Sequence, residues 1–233
     1  MRRLSILGTV LVVITSVASA QDAASCPAPR FQPQLMTPPA LQIPRDAALV
    51  VGLFAAGATA GGVNDLPPVT LTRRNREVAF VREAIAPGLY RLRPDATRMR
   101  GRYDLTGVPG APPLVFGRPG IGAPPAQPSV ERVERYLVAG AGGSRTELRA
   151  HLSFPMPARV VAVLVFWGDD PEPDLFARAA PTSSSVVLYR SSGDCSELPR
   201  GASAPPRNGT VSVAFVDGYG QVSARSEAVT IGG

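Results

Sequence analysis

Lysine is absent: all 24 basic residues are arginine, beside one histidine, one tryptophan and two cysteines. Each scarcity removes a class of function. Zinc and copper sites draw on several His or Cys ligands, which this composition does not supply. A Ser-His-Asp or Cys-His set needs a histidine, so His151 is the sole candidate, and no Gly-x-Ser-x-Gly motif accompanies it. Aromatic residues are 6% of the chain, and no aromatic-basic platform for nucleic acid appears among them. Past the first twenty residues, no apolar run approaches the roughly 20 residues that a spanning helix needs. No cofactor motif is present. Every cation carries a planar fork suited to carboxylates and phosphates.

The start of the chain reads as an export signal. Arg2 and Arg3 precede an apolar run over residues 4–17, and Ala18-Ser19-Ala20 supplies small residues for cleavage after Ala20. The mature chain is therefore expected in the periplasm or outside the cell, with no transmembrane segment. In such a compartment the even cysteine count predicts a disulfide between Cys26 and Cys195. The loop it closes is very long, where chain entropy allows about 4–5 kcal/mol as an upper figure. The rival reading is a lipoprotein acylated at Cys26, since residues 23–26 (AASC) faintly resemble a lipobox. Gln21 and Asp22 separate that motif from the apolar run, and Ala23 stands where a large aliphatic residue is usual.

The 25 prolines and 23 glycines imply many turns and short elements, hence an all-β chain. Residues 21–39 form a Pro-rich extended segment, 40–117 a first β domain, 118–128 a Pro/Gly linker and 129–233 a second β domain. Strands are expected at residues 48–54, 69–72, 77–81, 88–93, 102–106 and 114–116, with a hairpin turn at 73–76. In the second half they are expected at 146–154, 159–167, 185–190, 210–216 and 228–231, while 130–138 is ambiguous between strand and helix. Alternation in 146–154 places Leu148, Ala150, Leu152 and Phe154 on one face, and Glu147, Arg149, His151 and Ser153 on the other. Trp167 reads as core.

Residues 211–231 (VSVAFVDGYGQVSARSEAVTI) resemble the last hairpin of a fibronectin type III domain, through Ala214, Asp217, Gly220, Ser223, Ser226 and Val229. In the first half, Leu92-Arg93-Pro94 and the stretch 99–105 resemble the corner before the penultimate strand of bacterial immunoglobulin-like domains. The resemblance gives Tyr103 the place of a residue whose hydroxyl bonds back to the preceding loop. Both resemblances imply two tandem β-sandwiches, and neither implies an activity.

Charge is uneven. Residues 21–120 hold 12 Arg against 7 acids, and residues 121–233 hold 10 Arg against 11 acids. Arg91, Arg93, Arg100 and Arg102 would line one anion-binding face if their strands paired as a hairpin, and would be split between sheets if Tyr103 marks a corner. His151 reads as a solvated strand residue. Asp169, Asp170, Glu172 and Asp174 read as a solvated loop, with Ca²⁺ as the alternative. The chain is thus expected to be a non-catalytic interaction or structural module of a bacterial cell envelope, with an envelope protein as partner. The alternative is a binder of anionic glycan or lipid headgroups through the first domain's arginines.

Overall fold

The computed structural model describes residues 31–38, 42–55, 66–94, 99–118, 120–140, 143–192, 195–196 and 203–232. Among them there are strands and no helix. The first half contains β1 (Phe31–Leu35), β2 (Ile43–Pro44), β3 (Leu49–Ala55), β4 (Thr70–Arg73), β5 (Arg76–Val78), β6 (Phe80–Ala86), β7 (Leu89–Pro94), β8 (Gly101–Thr106) and β9 (Leu114–Arg118). They form two sheets, ordered β1-β3-β7-β6 and β2-β9-β8-β4-β5. Leu49, Val51, Tyr90 and Leu92 from one sheet meet Leu71, Tyr103, Leu114 and Phe116 from the other in a single core. The expected turn at 73–76 forms, with Arg74 and Asn75 both at positive φ and Arg73 paired to Arg76. That is the twist a two-residue hairpin connection favours.

The second half contains β10 (Val130–Gly140), β11 (Gly143–Leu152), β12 (Val160–Trp167), β13 (Leu175–Arg178), β14 (Ser185–Ser192), β15 (Cys195–Ser196), β16 (Thr210–Asp217) and β17 (Val229–Gly232). Their order is β13-β12-β16-β17-β10-β11-β14-β15. The sheet doubles over at β17, which pairs antiparallel with β16 and parallel with β10. Val163, Val165, Val213 and Phe215 on one side of the fold thereby face Leu148, Ala150, Val186 and Leu188 on the other. Trp167 belongs to this core, and its indole N–H donates to the Ser203 carbonyl at 3.0 Å.

Strands β3, β12 and β16 read as unbroken apolar runs because both of their faces are buried. Alternate residues of β12 and β16 fill the second core, while Ala162, Leu164, Phe166, Ala214 and Val216 point the other way. There they meet Met36, Val50, Ala86 and Leu89 of the first half. The two halves thus share an apolar seam. Polar contacts edge it: Arg91 Nη1 donates to the Gly220 carbonyl at 2.9 Å, and Arg178 Nη2 donates to Gln34 Oε1 at 2.6 Å. Gly220 has φ 79°, and a Cβ there would lie 2.8 Å from Arg91 Cδ, so both backbone and seam require glycine. The 118–128 stretch is pinned to the second half as well, since Gly122 O accepts from Gln221 and Pro124 O from Arg159.

Several expectations change. Residues 31–35, expected as extended chain outside the first domain, pair with β3 along their whole length. Residues 130–138 are strand, paired to β11. Phe154 is 75% exposed rather than on the buried face, because regular pairing of β11 ends at Leu152. Glu147, placed with the polar face, is fully buried. Cys26 lies outside the described residues, and Cys195 begins β15, opposite Ser192.

The motif residues near the C-terminus act on their own backbone. Asp217 Oδ1 accepts the N–H groups of Tyr219 and Gln221 at 3.0 and 2.9 Å. Ser223 Oγ and Ser226 Oγ accept from the Phe215 and Val213 N–H groups. The serine hydroxyls replace ladder partners that β16 would otherwise lack, because β17 covers only its first two residues.

Candidate functional site: a cleft between two strand edges

An open cleft of about 640 Å³ runs between β13 and β14, closed at one end by Phe31, Leu53 and Phe54 of the first half. Every residue from Leu175 to Ala180 lines it, as do Ser183 and every residue from Ser185 to Arg190. Successive residues of a strand point to opposite faces. A surface lined by consecutive residues therefore presents strand edges, with their backbone N–H and C=O groups. The pairing agrees. β13 bonds only to β12, and β14 bonds to β11 on one side and to β15 on the other only at Ser191 and Ser192, among the described residues.

Phe54 and Phe176 meet edge to face, with ring centroids 5.4 Å apart. The Arg178 guanidinium lies 4.5 Å from the Phe54 ring centroid while holding Gln34. Its stacking fixes a cation on the cleft wall. Arg149 and Arg190 supply two more, and none of the lining residues is an acid.

Those two arginines are oriented by Glu147. Its Oε1 receives Arg145 Nη2 at 3.1 Å and Arg190 Nε at 3.0 Å, and its Oε2 receives Arg149 Nη2 at 2.7 Å. The three side chains are 40–48% exposed while the carboxylate has no exposure. One negative charge thus organises three positive ones. The Arg149 hydrogen bond is the main influence holding the Glu147 carboxyl below the ordinary glutamate range; burial opposes it, and the fields of all three arginines reinforce it. A β-bulge between Leu148 and Arg149 accompanies the cluster and shifts the register against β14.

The residues singled out from sequence fall elsewhere. Arg91 and Arg93 are on β7, which pairs with β3 and β6; Arg102 is on β8, which pairs with β4 and β9 in the opposite sheet, and Arg100 immediately precedes it. They share no hairpin face. Arg91 is engaged by Glu83, through Nε to Oε2 at 3.1 Å and a second bond from Nη2, and by Gly220. Arg93, Arg100 and Arg102 are exposed. Tyr103 is buried edge-on against Phe116, and residues 95–98 of the loop before it lie outside the described residues.

His151 sits on the outer face of β11, where Nε2 is 3.2 Å from both Tyr136 Oη and Glu134 Oε2. Tyr136 donates to Glu134, and that bond is the leading cause of the lowered Glu134 pKa. In the 169–174 loop the carboxylates bond to nearby backbone: Asp174 Oδ2 accepts from the Trp167 N–H and Asp170 Oδ1 from the Glu172 N–H. No group of three or more His, Cys, Asp or Glu side chains converges for a metal among the described residues.

Sequence reasoning missed β13, which is hidden behind the prolines and acids of residues 169–174. The alternation Leu175-Phe176-Ala177-Arg178 was its only signal, and four residues are a weak one. No protein-family model matches this chain, and no curated protein matches it at a significant level.

Proposed function

We propose that this protein is an exported, non-catalytic interaction module of a bacterial cell envelope, binding its partner in the cleft between β13 and β14. Its halves are immunoglobulin-like sandwiches, the second of fibronectin type III type. The observation that carries the reading is the cleft itself, where two open strand edges meet a wall of aromatic rings and fixed cations. Exposed edges are a hazard unless covered or used, and strand addition is a common use. The fibronectin-like assignment draws support from the strand order and from the roles of Asp217, Ser223 and Ser226. Export follows from the first twenty residues, and a Cys26–Cys195 disulfide from the oxidising compartment they imply. The alternative, a site for anionic glycan or lipid headgroups through Arg91, Arg93, Arg100 and Arg102, would draw on arginines from two sheets rather than from one hairpin.

Site-specific photo-crosslinking in intact cells tests this. A photoreactive residue at Val187, in the cleft, is expected to give a discrete partner adduct in the exported fraction. The same probe at Leu137, which is 76% exposed on β10, is expected to give none. In that exported material, neither cysteine should alkylate before reduction. Adducts at both positions or at neither, or protein retained in the cytoplasm, would contradict the proposal.

A further inference from the structure

The geometry points to a particular occupant for the cleft: an extended acidic segment of another protein, added as a strand to the edge of β14. This inference rests on the reading of the protein as a partner-binding module.

The edge supplies the backbone half of the recognition. Residues 186–190 bond to β11 on one side only, among the described residues, while Ser183 Oγ holds the N–H and C=O of Ser185. At roughly 3.3 Å per residue they span about 16 Å, room to pair the central residues of a short peptide. A peptide strand paired there turns alternate side chains to opposite faces. Apolar surface and guanidinium groups lie side by side on the cleft wall, with Val187 opposite Arg149 and Phe176 on the same face of β13 as Arg178, so a segment carrying both apolar and acidic residues meets both.

Charge decides the class of segment. Arg149, Arg178 and Arg190 line the cleft with no acid among the lining residues. Glu147, fully buried, binds Arg149 and Arg190 together with Arg145, and its single charge leaves a surplus of two across that cluster. Arg178 is held by Gln34 and by the Phe54 ring. Cations already fixed by other contacts lose little side-chain freedom on binding a carboxylate. A planar guanidinium donates two parallel hydrogen bonds to a carboxylate. A basic segment would be repelled. The chain's own residues 26–30 (CPAPR) make a poor occupant on composition alone, since two prolines lack the N–H that strand pairing needs and Arg30 adds a like charge.

The probe is an end-capped, dye-labelled octapeptide alternating Val and Glu, titrated against the full mature chain by fluorescence anisotropy at low salt. Two comparison peptides leave the protein unaltered: one carries Lys for Glu, and the other is N-methylated at alternate residues to remove edge donors. The acidic peptide is expected to bind at least about tenfold more tightly than either, with affinity falling as salt is raised. Amide exchange at residues 186–190 should slow in its presence. Equal affinity for the acidic and basic peptides, indifference to N-methylation, or no binding at millimolar peptide would overturn the inference. So would binding without protection of residues 186–190. A Val187 adduct in cells together with such a failure would retain the interaction module and remove only this class of partner.

Discussion

Replacing Glu147 with glutamine is expected to lower the free energy of unfolding by about 3 kcal/mol, near the lower end of what removing one partner of a buried ion pair costs. The carboxylate is fully buried while its three arginine partners are 40–48% exposed, so solvent screens the cations left behind and moderates the loss. Glutamine preserves the shape but keeps one acceptor oxygen, and its amide N–H groups oppose guanidinium donors. The effect is measured by denaturant unfolding, with the exposed Glu131→Gln as a control expected to cost less than about 0.5 kcal/mol. Its pH dependence has a definite sign. The Glu147 pKa is lower in the folded chain, so its stabilisation is complete above the unfolded-state value of about 4.3 and disappears as pH falls through the folded-state value. The difference between wild type and variant should be constant from neutral pH to about pH 5 and shrink in stronger acid. A neutral variant, or a difference that grows in acid, would show that the cluster does not organise this surface.

A charge placed in the seam should uncouple the two halves. Leu164 is 3% exposed and points away from the second core, into the cluster that includes Val50 and Leu89. Leu164→Asp buries an unpaired carboxylate there, at a cost above about 3 kcal/mol if the seam stays closed. Opening is the cheaper response, because Val163 and Val165 still fill the second core. Calorimetry should resolve one unfolding transition in the wild-type protein and two in the variant. The cleft depends on the same docking, since Phe31, Leu53 and Phe54 reach it only across the seam. A single transition at an unchanged temperature in the variant would show that the halves do not stabilise one another.

Much of the framework was readable from local pattern. Arg74 and Asn75 form the expected turn, and the strands of residues 48–54, 159–167 and 210–216 stand where their apolar, β-branched runs place them. The same runs held a further fact that periodicity does not separate: a strand buried on both faces reads alike in the middle of one domain or at a seam between two. Glu147 illustrates the limit more sharply. Alternation assigns it to the polar face, and that face is where it points. Its burial comes from Arg145 and Arg149 beside it in the chain and from Arg190 arriving on β14 through the fold. The cleft was illegible for the same reason. Phe31, Phe176 and Arg190 are far apart in sequence, and β13 is too short to announce itself.

The account depends most directly on the edge of β14 being open in the unliganded protein, and amide hydrogen exchange of the full mature chain measures this. Among residues 186–190, the amides not bonded to β11 are expected to exchange at rates typical of loops, while those of β12, flanked by β13 and β16, stay protected. Protection throughout 186–190 comparable to β12 would mean that the edge is already covered by the chain itself, and the cleft would not be a binding site.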